Sequence, residues 1–355
     1  MQRQIIVPLD GSRPAEHALP HAVALARATG SELTLVHVVS IPQATGFVAW
    51  GVRAVSAASA IREEVVDSAH EYLRSVAQRL GSEASEGMAV AVEVLEGDAA
   101  EAIIVYADQH PEVLMTVMTT RGRSGLTRWV LGSVAEKVLQ ASPVPLVLIR
   151  PQVGSENQAD VDASEFGRRG LPGIPAIPTY RTILVPLDVS LLAEEALPYA
   201  RTLAAATGAA LLLVSVMPLP YPIDLPPPDP VTRDDVADGA EAGSLLPPRQ
   251  SVAKVLKEVY EREKVALTQY LASVARRLKE TGGAGTPGIE VSTRDLEGDA
   301  AKEILRASSE GSADLIVMST QGRGGLARLW PGSVAMSVVR EAALPVLLVP
   351  AHLAR

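Results

Sequence analysis

The chain has 355 residues, of which 47% are hydrophobic and 3% aromatic, with no cysteine and a formal net charge of −9. This length suits about two domains with aliphatic cores. The missing cysteines exclude disulfides, thiolate metal sites and cysteine nucleophiles, and the acidic balance argues against a nucleic-acid backbone as main partner.

Taken in order, residues 4–10 (QIIVPLD) form the first of several short apolar runs that alternate with helical periods. Strands are expected near 4–9, 32–39, 89–95, 113–118 and 144–149, and helices near 14–29, 60–80, 98–109 and 133–141. This alternation is the signature of a parallel α/β sheet with crossover helices. Ser12 and Asp98 suit N-caps, and Gly30 suits a helix stop. The N-terminus lacks the apolar core of a signal peptide, and no apolar run reaches ~18 residues, so a cytoplasmic protein without membrane contact is expected.

The second half repeats the first. Residues 182–188 (TILVPLD) match 4–10, AEEALPYA (193–200) matches AEHALPHA (15–22), and LEGDAA recurs at 95–100 and 296–301. Strands are expected near 182–187, 210–216, 289–295, 313–318 and 345–349, with helices near 191–206, 251–281, 299–309 and 333–342. The division is therefore a domain at 1–150, a Pro/Gly-rich linker at 151–179 and a second domain at 180–351 carrying a Pro-rich insertion at 217–250. Pro20 and Pro198, at matched places inside the first helices, should bend them.

Residues 119–135 (TTRGRSGLTRWVLGSVA) recur 200 positions later as STQGRGGLARLWPGSVA, ten of seventeen identical. Each copy follows an apolar run ending in Met118 or Met318 and precedes a helical pattern. A glycine-bearing loop there turns backbone N–H groups toward one point beside the positive end of a helix, so a phosphate is the expected guest. The candidate loop residues are Thr119, Gly122, Arg123, Gly125, Gly132, Ser133 and Val134, with Ser319, Gly322, Arg323, Gly325, Gly332, Ser333 and Val334 as their twins. Ser133 and Ser333 would equally serve as helix N-caps. In an open parallel sheet, ligands sit beyond the carboxyl ends of the strands where the order reverses. Asp10 and Asp188, ending each first strand, would face ribose hydroxyls or an adenine amino group there, or merely structure the loop.

On these motifs the chain resembles the universal stress proteins, a family with an adenine-nucleotide-binding, Rossmann-like α/β fold (adenine nucleotide α-hydrolase-like), over nearly everything except linker and insertion. The family's nucleotide-binding members carry Gly, two residues, Gly, nine residues, then Gly-Ser or Gly-Thr. Gly122 with Gly132-Ser133, and Gly322 with Gly332-Ser333, fit the second part. Thr119 and Ser319 stand where the first glycine would be, which is tolerable if the position does not need a positive φ. The resemblance implies two tandem five-stranded parallel-sheet domains of strand order 3-2-1-4-5. It implies that Pro8, Leu9, Asp10 and Val38, and Pro186, Leu187, Asp188 and Val216, line the adenine and ribose. Gly122, Arg123, Gly132, Ser133 and Val134, with their twins, would hold the phosphates of ATP, and Mg²⁺ would arrive with them. It also implies that the final strands pair, here within one chain as an intramolecular pseudo-dimer; two chains could then form a homodimer.

No Walker A lysine, kinase-type Asp/Asn pair or nucleophile elbow is present. Binding rather than catalysis is expected. The alternatives are a nucleotide-free scaffold acting through protein partners and a weak ATPase. His17 and His21 lie one helical turn apart, but Glu195 and Tyr199 replace them in the second half, so no metal site is expected.

Overall fold

The computed structural model describes residues 3–40, 52–83, 88–120, 131–151, 176–219, 249–280, 288–321 and 332–350. Most of the expected linker and insertion lie outside them. In the first half β1 (Gln4–Pro8), β2 (Glu32–Val39), β3 (Val90–Glu96), β4 (Val113–Thr119) and β5 (Leu146–Ile149) alternate with helices α1 (Arg13–Glu16), α2 (Ala18–Thr29), α3 (Val52–Glu83), α4 (Ala99–Gln109) and α5 (Ser133–Ala141). The second half repeats the series as β6 (Thr182–Pro186), α6 (Leu191–Glu194), α7 (Ala196–Thr207), β7 (Ala210–Met217), α8 (Arg249–Glu280), β8 (Val291–Glu297), α9 (Ala300–Glu310), β9 (Leu315–Ser319), α10 (Ser333–Glu341) and β10 (Val346–Val349).

Strand order in each half is 3-2-1-4-5, and the two halves join into a single ten-stranded sheet, β3-β2-β1-β4-β5-β10-β9-β6-β7-β8. All pairings are parallel except the central one, where β5 and β10 run antiparallel with Val346 opposite Leu148 and Leu348 opposite Leu146. Ile5, Ile6 and Val7 of β1 are all fully buried. Helices cover both faces, which is why such strands read as unbroken apolar runs rather than alternating ones. One core holds Ile5 and Val7 with Leu19 and Leu25 of α2 and Leu73 of α3, together with their counterparts from α7 and α8. The other face packs Ile6 and Val36 against Ile103 of α4 and Val138 of α5, with Ile304 and Val338 from the second half.

The single helices expected over 14–29 and 191–206 are each two pieces. His17 breaks the first at φ −63, ψ −14, and Glu195 the second at φ −60, ψ −21. Pro20 and Pro198 have no N–H to offer the carbonyl four residues earlier, so the ladder stops upstream and each proline sits in the first turn of a new helix, where it is tolerated. The helices expected at 60–80 and 251–281 are 32 residues each. Leu73, Val76 and Leu80, buried on the sheet, lie in the C-terminal part of α3, whereas Ile61 and Val65 are exposed. Exposed Ile61 and Val65 add nothing to a core-facing stripe, so the stretch around them carries little periodic signal. Among the described residues no helix is long and apolar enough to cross a membrane.

Candidate functional site

The carboxyl end of β1 turns sharply. Gly11 adopts φ +82, a conformation that suits glycine. Asp10 Oδ1 accepts hydrogen bonds from Ser12 N at 3.0 Å and Ser12 Oγ at 2.6 Å, and Ser12 Oγ in turn accepts from Ala15 N at the start of α1. The second half copies this with Asp188, Ser190 and Ala193. Asp10 and Asp188 therefore do shape their loops, the plainer of the two sequence readings.

The second half differs at one point. Val189 stands where the first half has Gly11, and it is held at φ +68. A β-branched residue there is strained by ~1–3 kcal/mol, and its side chain is 41% exposed, so little packing offsets the strain. Val189→Gly is expected to raise stability by about 1 kcal/mol after the extra entropy of an unfolded glycine is subtracted, read as a higher urea midpoint. An unchanged or lower midpoint would remove the strain argument.

At the neighbouring strand, β4 ends in Thr119 and is followed by Thr120, both buried. Thr120 N donates to Ile149 O at 2.8 Å and Thr120 O accepts from Gly132 N at 2.8 Å, pinning the start of α5 against the end of β4. Thr320 makes the same pair of bonds, to Val349 O at 2.9 Å and from Gly332 N at 2.6 Å. Neither Thr119 nor Ser319 has a positive φ: among the described residues the only non-glycine residues that do are Val189 and Ser312. The position where the resemblance wants glycine thus accepts a side chain here without backbone strain.

The N-caps of α5 and α10 are Gly132 and Gly332, neither with a side-chain cap. Ser133 and Ser333 are the first helical residues, not the caps, because the extended backbone (φ −63, ψ 147 at Gly132) falls one residue earlier. The first bond in the α5 ladder is Glu136 N to Gly132 O, so the amides of Ser133, Val134 and Ala135 lie ahead of it, pointing out of the helix mouth. Gly332 has φ −58, open to any residue. A Cβ there would meet Thr320 O at 3.5 Å, an ordinary contact. Neither backbone conformation nor packing among the described residues demands this glycine.

Between these elements of the first half lies a cavity of about 240 Å³. Of the residues singled out in the sequence, Pro8, Leu9, Asp10, Val38, Met118, Thr119, Gly132, Ser133 and Val134 line it. Gly122, Arg123 and Gly125, with Gly322, Arg323 and Gly325, lie outside the described residues. The wall also contains residues that sequence reasoning missed, including Val36, Ile103 and Thr120. Val36 was findable, since alternation along β2 puts it on the face of Val38, and Thr120 is identical in both halves. Ile103 comes from α4 and has no local signal. In the second half Pro186 ends β6, Val216 lies on β7, Met318 and Ser319 end β9, and Gly332, Ser333 and Val334 open α10. Leu187 N donates to Val214 O at 2.8 Å, as Leu9 N does to Val36 O.

Behind each aspartate loop stands a second duplicated group. Glu16, closing α1, accepts from Tyr72 Oη at 3.1 Å and from Arg79 at 2.8 Å, both on α3. Glu194 accepts from Tyr270 Oη at 2.9 Å and from Arg277 at 2.6 Å. Burial raises the phenol pKa of Tyr72 and Tyr270 well above the usual value, and Glu16 and Glu194, with smaller contributions from Asp10 and Asp188, push the same way. Glu96 and Glu297 pair with Arg62 and Lys264, tying α3 and α8 to the ends of β3 and β8, while Asp98 caps α4 as expected.

The sequence profile of the universal stress protein family matches residues 1–150 and again 179–350. The chain is 30% identical over 150 residues to a universal stress protein of Methanocaldococcus jannaschii, covering 42% of this chain and 83% of that one. It is also 30% identical over 152 residues to one of Bacillus subtilis, covering 42% of this chain and all of the other. A universal stress protein of Archaeoglobus fulgidus shares the fold across 98% of both chains, with a TM-score of 0.57 and 21% identity. The two halves, each with the same strand order and the same loop architecture, belong to the universal stress protein family, and this chain carries two of its domains in tandem.

Proposed function

We propose that each half binds an adenine nucleotide, ATP above all, and that the protein works in a stress response by binding rather than by catalysis. The single observation that carries this reading is the uncapped mouth of α5, where three outward amides meet a cavity beside Asp10 at a glycine. In the twin, Gly332, neither the backbone nor packing among the described residues requires glycine. An anion completes the vacant amides, and the helix dipole favours it. The apolar wall of Val36, Val38 and Ile103 suits a purine face, and the Asp10 loop lies on the side where ribose would sit. At about 240 Å³ the cavity is slightly smaller than the ~300–1,000 Å³ of whole drug-sized ligands. It therefore fits the nucleoside, with the phosphates over the helix mouth. Mg²⁺ would enter with the nucleotide.

Equilibrium dialysis of the purified chain against ATP is expected to give two molecules per chain. Mass spectrometry of ligand released on denaturation should identify an adenine nucleotide. A chain that releases none and takes up none would instead support a scaffold acting through protein partners. Phosphate release lost in an Asp10→Ala/Asp188→Ala double variant that still binds ATP would reveal a slow ATPase.

A further inference from the structure

The two long helices carry different outer faces, although α8 is the repeat of α3, with Tyr270 and Arg277 matching Tyr72 and Arg79. Leu271, Val274 and Leu278 turn the inner face of α8 to the core. At about 100° per residue, Val255, Glu258, Arg262 and Val265 fall on one stripe along the opposite side. All four are exposed, the two valines at 56% each. Among the described residues neither Glu258 nor Arg262 has an ion-pair partner. Exposed β-branched residues lower helix propensity and gain no burial within the chain.

The stripe reads the same in both directions with its charges exchanged: valine, glutamate three residues on, arginine four further, valine three further. An antiparallel copy related by a two-fold axis therefore sets Val255 against Val265 twice and Glu258 against Arg262 twice. That is the self-complementarity an isologous contact requires. A parallel copy would set like charge against like, which is destabilising. The twin positions on α3 are Ala57, Ala60, Glu64 and Asp67. There an antiparallel copy would bring only alanine against acid, so α3 lacks the pattern.

We propose that the outer face of α8 is a self-association surface, on which two copies of the chain dock as an antiparallel two-fold pair through Val255, Glu258, Arg262 and Val265. The charges fix direction and register, and the valines supply the apolar area. A stripe of three turns is smaller than the ~800 Å² per partner of a standard interface, so the dimer is weak and dissociates on dilution. The contact does not depend on nucleotide.

Sedimentation velocity of the full chain, without nucleotide, should show monomer passing to dimer as its concentration rises from low to high micromolar. Arg262→Glu sets acid against acid, and Glu258→Arg sets base against base. Each should weaken association by at least about tenfold, the effect of ~1.4 kcal/mol. An equimolar mixture of the two variants should recover wild-type association, because each charge then meets its opposite. This recovery cannot come from a variant that has lost its fold. A wild-type chain that stays monomeric throughout, a single variant that associates as the wild type does, or a mixture no tighter than its components would each overturn the proposal.

Discussion

Gly132→Val is expected to weaken ATP binding in the first half by at least about 100-fold while leaving the fold intact, so that dialysis finds one nucleotide per chain instead of two. The backbone at Gly132 sits at φ −63, ψ 147, which valine adopts readily, and at the twin Gly332 a Cβ finds only ordinary contacts. Among the described residues, therefore, nothing at the twin position objects to the side chain. The branched methyls would occupy the space in front of the Ser133 and Val134 amides. Hydrogen bonds to a charged group contribute ~1.5–3 kcal/mol each, and two of them exceed the roughly 2.8 kcal/mol that a 100-fold change represents. Gly332→Val should remove the other site, and the double variant both. Unchanged stoichiometry in folded variants would reject the nucleotide reading; loss of binding together with loss of the circular dichroism signal would reject the claim that the glycine is dispensable to the fold.

The second large effect concerns stability and sets the two halves against each other. Arg79→Ala is expected to cost about 2–3 kcal/mol, and Arg277→Ala no more than about 1 kcal/mol, although both remove an arginine from a glutamate that also holds a tyrosine hydroxyl. The difference lies in exposure. The Arg79 and Glu16 side chains are 20% and 15% exposed, whereas Arg277 is 59% exposed beside Glu194 at 21%. Breaking a buried pair strands a charge that water cannot reach, at ~3–5 kcal/mol when burial is complete. An exposed arginine leaves solvent to take its place, and such pairs are worth ~0–1 kcal/mol. Urea midpoints of the two variants measure this directly. Equal losses would show that burial of the arginine is not what decides, and a larger loss for Arg277→Ala would reverse the argument. Because α1 leads straight back to the Asp10 loop, the Arg79 variant should also loosen nucleotide binding in the first half alone.

Much of this was legible along the chain. The unbroken apolar runs at 5–8 and 183–186 announced strands, Ser12, Asp98 and Gly30 marked helix ends that hold in the structure, and the duplicated loop marked the mouths of α5 and α10. Other features were not. Pro20 and Pro198 signalled trouble in the helix, but whether a proline bends a helix or splits it depends on which carbonyl is left without a donor. Ser133 looked like a cap because serine prefers that role; the bond from Gly132 N to Thr120 O sets the first helical residue one place earlier than that preference suggests.

The amino-acid sequence by itself determined the secondary-structure alternation, the duplication and the family, because periodicity and repetition are local properties that survive in a string of letters. Only the tertiary structure decided that β5 and β10, expected to pair, do so antiparallel and fuse ten strands into one sheet, that Ile103 closes the cavity wall, and that Tyr180 of the second half is buried against His21 of the first. Those outcomes depend on which distant surfaces exclude water together, and burial of that kind is a property of the folded whole rather than of any stretch of chain.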